Sequence, residues 1–349
     1  MFGGQNERMN KTEAIVDLPL IEVWQYNANA GITANPLIRD SVIIICTLTG
    51  EVQAVNFLSG KRLGYSTFES SIMGTPALDG SVLYVPLSSN KESVIAYDIY
   101  DGRRIWTQSS LGRIESSPLV SDNAVFTTTI AGTLHRLKKE DGDEVWKFST
   151  RPKEERKPIR SSPAWDGERI YFGCDDGSLY AVFASTGELA WKFQTSKSIF
   201  ASPIVVGMLV LIGSTDGTFI AVDRASGKLK WQLDTGAPIY SSASSDGISV
   251  FIGSSNGMLY ALDLETGSRR WYFATRSAVS SAALVSGTTV YIGSLDRSVY
   301  ALESSSGKEL WKYTAVGRVR VSPVLWGNSL LVTSEDKFVT RLRTNSNLQ

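Results

Sequence analysis

The sequence predicts an all-β protein, an eight-bladed β-propeller of four-stranded antiparallel blades. Three observations carry that prediction. A motif ending in tryptophan recurs about every 40 residues. Short alternating segments between the tryptophans are broken at regular spacing by Gly, Asp-Gly and Asn-Gly. The last unit is one strand short, while the chain opens with a strand that has no unit of its own.

The motif is clearest in ALDLETGSRRW, Ala261 to Trp271. Close copies end at Trp191 (AVFASTGELAW), Trp231 (AVDRASGKLKW) and Trp311 (ALESSSGKELW), and looser ones at Trp106 (AYDIYDGRRIW) and Trp146 (RLKKEDGDEVW). A period between about 20 and 50 residues marks a repeat architecture. Each unit reads as four strands: an IESSP-type strand, an apolar VLIGS-type strand, an FIAVD-type strand and the Trp strand. Period-two alternation and β-branched residues indicate strands rather than helices. Asp176-Gly177, Asp216-Gly217 and Asn256-Gly257 supply tight hairpins between second and third strands, where positive φ is required. Between third and fourth strands a glycine stands four residues before seven of the Trp positions, at Gly60, Gly102, Gly142, Gly187, Gly227, Gly267 and Gly307. A Cβ there is expected to hinder the turn.

The Trp positions are 24, 64, 106, 146, 191, 231, 271 and 311; position 64 is Gly64, beside Tyr65. First strands begin near Ile32, Ile72, Ile114, Ile159, Ile199, Ile239, Val279 and Val319. The unit after Val319 has three strands, and Leu20–Tyr26, carrying Trp24, is the missing fourth. Joining them closes a ring, which leaves only short outer edges. The expected organisation is a loose tail over 1–19, one propeller domain over 20–344 and a short tail over 345–349. The tryptophans are expected to dock on a neighbouring blade above the Ala ten residues earlier (Ala181, Ala221, Ala261, Ala301). Arg136 and Arg341 break that rule. A fully buried indole contributes about 4–6 kcal/mol by area.

Composition narrows the function. Lys plus Arg and Asp plus Glu both number 35, for a formal charge of zero, and the signs are mixed along the chain. That excludes the basic stripe of a general nucleic-acid binder. Cys46 and Cys174 have no metal-ligand spacing and read as small buried strand residues. His135, the single histidine, sits in TLHRL and reads as structural. No apolar run approaches the roughly 20 residues that cross a bilayer. Residues 1–19 lack the apolar segment of a signal peptide. On the residues alone, a cytoplasmic protein and one already processed are both open. H-E-x-x-H and the phosphate-binding P-loop pattern are both missing.

The repeated A-x-D-x-x-T-G-x-x-x-W resembles the tryptophan-docking motif of the pyrroloquinoline-quinone (PQQ)-like propellers, over about residues 20–343. That superfamily includes quinoprotein alcohol dehydrogenases, a propeller lipoprotein of the outer-membrane β-barrel assembly machinery, and extracytoplasmic sensor domains. The resemblance implies the fold and favours the periplasm or cell envelope, without choosing an activity. The dehydrogenases hold their quinone against a Trp and a disulfide between adjacent cysteines, with calcium and an Asp base. Here no cysteines are adjacent, and no Asp, Asn and Glu cluster recurs where the first strands begin. The missing dehydrogenase residues favour a non-catalytic propeller with no metal and no cofactor. A protein-interaction scaffold, as a subunit of a larger cell-envelope assembly, is the leading reading, a small-ligand or sensor propeller the alternative, and a PQQ-dependent dehydrogenase the third.

Information should lie where the blades differ. Trp146 to Trp191 spans 45 residues, with the excess in Arg151–Lys157 (RPKEERK); Gly64 to Trp106 spans 42, with the excess in Ser88–Ser93 (SSNKES). In a propeller these two loop types emerge on one face. The variable register at the start of the first strands reads Thr33, Met73, Glu115, Arg160, Phe200, Tyr240, Ser280, Arg320, with Arg113 and Arg318 just before it. Arg and aromatic residues are the composition of protein-binding hot spots, and Arg also suits a bidentate carboxylate. The expected partner surface comprises Arg113, Glu115, Arg160, Phe200, Tyr240, Arg318 and Arg320, with Lys91, Arg151, Lys153 and Arg156 from the loops. An ordinary solvated rim is the other reading of these residues. Trp165 and Trp326, outside the docking series, are expected on the opposite face.

Overall fold

The computed structural model describes residues 8–345 apart from 122 and 336. The fold is an eight-bladed β-propeller of four-stranded antiparallel blades. Among the described residues the one helical element is a 3₁₀ turn at Lys153–Glu155, and no helix is long and apolar enough to cross a membrane. The blades fall into two compact units, Ser70–Ser242 with Met1–Met9, and Asn10–Glu69 with Ala243–Gln349.

The first unit holds blades 2 to 5. Blade 2 runs Ala77–Asp79, Val82–Pro86, Val94–Asp98, Arg103–Gln108; blade 3 runs Leu119–Val120, Ala124–Thr128, Thr133–Lys138, Glu144–Ser149. Blade 4 runs Ala164–Trp165, Arg169–Gly173, Ser178–Phe183, Leu189–Gln194; blade 5 runs Ile204–Val206, Leu209–Gly213, Thr218–Asp223, Leu229–Asp234. Second strands such as Leu209–Gly213 are buried throughout, while fourth strands such as Leu229–Asp234 alternate. The docking tryptophans do more than fill space. Trp106, Trp146 and Trp191 each donate the indole N–H to a carbonyl of the next blade's outer turn, at Lys139 (3.0 Å), Ala184 (3.1 Å) and Arg224 (3.0 Å).

The recurring glycine has a reason beyond the turn. It does adopt positive φ, but a Cβ on Gly142 would also lie 2.5 Å from the Trp106 ring, and one on Gly227 2.6 Å from Trp191. Gly102, which no Trp precedes in the motif, meets only the Tyr97 hydroxyl, at 3.4 Å. That position is Val or Leu in every other blade. The first strands are joined by a second device. Backbone N–H groups of Thr75, Ser117, Ser162 and Ser202 donate to the hydroxyls of Ser117, Ser162, Ser202 and Ser242, each on the next blade, at 2.9–3.1 Å.

The second unit holds blades 6, 7, 8 and 1. Blade 6 runs Ser244–Ser245, Ser249–Gly253, Met258–Asp263, Arg269–Ala274; blade 7 runs Leu284–Ser286, Thr289–Gly293, Ser298–Glu303, Glu309–Thr314. Blade 1 runs Leu37–Arg39, Val42–Cys46, Glu51–Asn56, Arg62–Thr67. Blade 8 is assembled from both ends of the chain: Leu20–Asn27 pairs antiparallel with Phe338–Thr344, beside Ser329–Ser334 and Val324–Trp326. Trp24 faces Arg341 across that ladder. Arg341 replaces the usual Ala by lying over the Phe57 ring, 4.3 Å from its centroid, and donating to the Phe57 carbonyl at 3.2 Å. Arg136 in the first unit keeps the carbonyl half of that arrangement, donating to the Ser185 carbonyl at 3.3 Å.

The expectation of a loose tail over 1–19 needs correction for residues 8–19. Lys11–Thr12 forms a strand on blade 7, and Val16 is buried. In the first unit Arg8 is 1% exposed, with its guanidinium on the carbonyls of Pro163 (2.5 Å) and Ser117 (3.2 Å). Backbone carbonyls, which composition cannot announce, make burial of that charge tolerable. Residues 1–7 and 346–349 of the two expected tails lie outside the described residues.

Candidate interaction surface

Nine of the eleven expected partner residues lie in the first unit, and the central ones sit four residues ahead of the first strands, which begin at Leu119, Ala164, Ile204 and Ser244 rather than near the preceding Ile residues. The buried Ile114, Ile159, Ile199 and Ile239 anchor the strands, so the next residue turns outward: Glu115, Arg160, Phe200, Tyr240. Glu115, its side chain 16% exposed, lies between Arg113 (3.1 Å) and Arg160 (3.6 Å). Arg160 also pairs with Asp175, and its guanidinium lies 5.3 Å from the Phe200 ring centroid. Phe200 stacks on Tyr240 with centroids 5.9 Å apart and planes at 21°. Cation–π and offset stacking of this kind stabilise by about 0.5–1.5 kcal/mol per contact. Tyr240 closes the row, 48% exposed.

The two inserted loops connect to this row. Arg113 reaches the Ser88 hydroxyl at 3.4 Å, which ties in the 88–93 loop. In that loop Glu92 pairs with Arg104 at 2.5 Å, and Lys91 is exposed. In the 151–157 loop, Arg151 contacts Asp176 (3.4 Å) and Glu155 (3.8 Å), while Arg156 donates to the Arg151 carbonyl at 3.0 Å. A Cβ on Gly132 would lie 2.9 Å from Arg156 Cβ, so the loop rests directly on the blade 3 hairpin. Lys153 is exposed on the 3₁₀ turn.

The sequence marks Asp176-Gly177 as a tight hairpin turn, with Asp175 beside it. Asp176 does accept the Ser178 N–H at 2.9 Å, as a turn Asp should. Its other oxygen takes the Tyr180 hydroxyl at 2.7 Å and faces Arg151, while Asp175 takes Arg160. Burial opposes ionisation of Asp176, but hydrogen bonds from Tyr180 and Ser178 outweigh it and hold the carboxyl below its ordinary range. The signal was present in the sequence as two adjacent acids in a hairpin that needs one. The arginines are thus paired within the chain, so the row is not the open carboxylate receptor that Arg content alone suggests.

The other candidates stand apart. In the second unit Arg320 pairs with Glu335, and Arg318 is exposed, its carbonyl accepting the Glu335 N–H at 2.9 Å. Trp165 is half-buried against a cluster with Leu119, Phe126 and Phe172, and Trp326 is 40% exposed. His135 is buried: its Nδ1–H donates to Glu144 at 2.5 Å and Nε2 accepts from Thr133 at 2.7 Å. Burial depresses its pKa more than Glu144 raises it.

Comparison with known proteins places this geometry in a family. The PQQ_2 family profile, described as outer membrane protein assembly factor BamB, matches residues 48–273 and 273–347. The chain belongs to the BamB family of PQQ-like propellers. Among BamB relatives, the outer membrane protein assembly factor of Yersinia pestis is 27% identical over 199 residues, covering 52% of this chain and 50% of that protein. The match thus spans about half of that relative's length. The crystal structure of BamB from Moraxella catarrhalis superposes with a TM-score of 0.79 at 21% identity, over 93% of this chain and all of that one. A quinohemoprotein alcohol dehydrogenase, ADH-IIG of Pseudomonas putida, is 32% identical over 89 residues, 24% of this chain and 12% of that enzyme.

The equipment that a quinoprotein would bring does not fit these residues. Cys46 and Cys174 are far apart in the sequence and buried, and burial pushes each thiol up to about 12. Neither can supply a disulfide between adjacent cysteines. Among the described residues no group of three or more His, Cys, Asp or Glu gathers as a metal site.

Proposed function

We propose that this BamB-family chain is a non-catalytic interaction propeller, a subunit of an outer-membrane protein assembly apparatus of the kind its relatives' name describes. Its protein partner docks on the first unit, on the surface made by the 88–93 and 151–157 loops with Arg113, Glu115, Arg160, Phe200 and Tyr240. One observation carries this reading: the departures from the repeat gather into one connected row, from Ser88 through Arg113, Glu115 and Arg160 to Phe200 and Tyr240. Residues constant in the repeat account for the fold, and this row is not needed for it. With the arginines braced, the parts offered to a partner are the Tyr240 ring, Lys91 and Lys153. Rigid, exposed tyrosines are favoured anchors of protein interfaces. Arg318 and Arg320 in the second unit are separate candidates.

The test is quantitative co-purification from envelope extract. Tyr240→Ala is expected to lower recovery of a specific partner about tenfold, a loss near 1.4 kcal/mol, with an unchanged melting temperature. Equal recovery would remove the row from the interface. The relationship to ADH-IIG favours a second reading, a quinone-dependent dehydrogenase. Dye reduction with added quinone, calcium and alcohols is expected to stay at the buffer level; turnover would reverse the assignment.

A further inference from the structure

In the second unit, residues upstream of the closing strand add a fifth strand to blade 7. Lys11 and Thr12 run parallel to Val285 and Ser286, on the first-strand edge that Thr289–Gly293 does not use. The Asn10 carbonyl accepts the Val285 N–H at 3.1 Å, and its side-chain amide donates to the Ala283 carbonyl. The Ser286 hydroxyl donates to the Ala14 carbonyl at 2.6 Å. Val16 enters an apolar cluster with Leu284, Tyr291 and Leu325.

This segment is held as a ligand is held, by a few specific contacts. Its ladder has two residue pairs, against seven between Leu20–Asn27 and Phe338–Thr344. Parallel pairing is the weaker kind per residue. Asn10 sits at φ 50°, a left-handed backbone that non-glycine residues seldom adopt. Glu13 and Ile15 are exposed. Without residues 10–16, Leu284–Ser286 would present an open edge, the template used in strand-addition recognition.

We propose that this edge of blade 7 is a peptide-binding site whose resident occupant is residues 10–16. It accepts in their place an extended segment of a partner protein that carries a side-chain amide to the Ala283 carbonyl and a branched apolar residue to the Val16 position. Exchange releases the two-pair ladder, the Asn10 and Ala14 hydrogen bonds and the buried Val16, with Arg8 upstream as a separate anchor, while Leu20–Asn27 stays in place. The site lies in the second unit and stands or falls apart from the surface proposed above.

The probe is a labelled synthetic peptide of residues 10–17, NKTEAIVD, followed by fluorescence anisotropy. A chain starting at residue 17 should bind it saturably and at least about tenfold more tightly than the intact chain, whose own segment competes. The peptide with Asn10→Ala should bind about tenfold more weakly. Equal binding by both chains, or by both peptides, would overturn the proposal. Amide exchange on the intact chain reads the same equilibrium without truncation. The Val285 amide should exchange at least about tenfold faster than those of Thr289–Gly293, because only local release exposes it. Equal protection would make the segment a fixed part of the sheet.

Discussion

Trp191 and Gly227 act as one part. The indole donates to the Arg224 carbonyl and covers Gly227, which cannot carry a side chain beneath it. Trp191→Ala should destabilise by about 3–5 kcal/mol in urea unfolding. Gly227→Ala should cost more than the roughly 1 kcal/mol of an ordinary glycine replacement, because its methyl group meets both a ring and a positive φ. The tryptophans were plain in the sequence; the glycine's true neighbour was not, since the two residues lie on different blades. His135 makes the second prediction at this scale. Its unfolded pKa is near 6.5, and its folded pKa is lower because burial outweighs Glu144, with Lys147 and Arg156 also opposing the charge. The unfolded chain therefore takes up the proton first. The contribution is complete above about pH 6.5 and is lost as pH falls from there through the folded pKa. Melting curves between pH 8 and 5 should show a larger loss for the native chain than for His135→Gln.

Among elements, the closing strand was legible because a missing fourth strand and a spare one share the same pattern. The 151–157 loop was legible as an insertion, but not what braces it. That bracing comes from Asp176, and only a folded hairpin shows which oxygen faces the turn and which faces Arg151 and Tyr180. Asp176→Asn should cost about 1–3 kcal/mol for the half-satisfied buried group. It should also raise amide exchange in the loop and leave Arg169–Gly173 protected. The segment over 8–19 was misread because its anchors are backbone carbonyls and a two-pair ladder, neither of which leaves a periodic trace.

For the whole molecule, the repeat specifies the fold eight times over, so single departures can be tolerated and used. The Trp lost at position 64 and the arginines at 136 and 341 are such departures, as are the two long loops. The candidate surface was legible as a set of residues that vary, and its chemistry was not. A sequence lists arginines; the fold shows Glu115, Asp175 and Asp176 holding them, and an aromatic end at Tyr240 left open. The central claim is that a protein partner rests on this row. Its most direct test is site-specific photo-cross-linking in cells from a benzophenone side chain at Tyr240 and at Lys91, with a control at Met208. Tyr240 and Lys91 should capture the same cross-linked partner, and Met208 none. Cross-links from Met208 alone, or a different partner at each site, would contradict the claim.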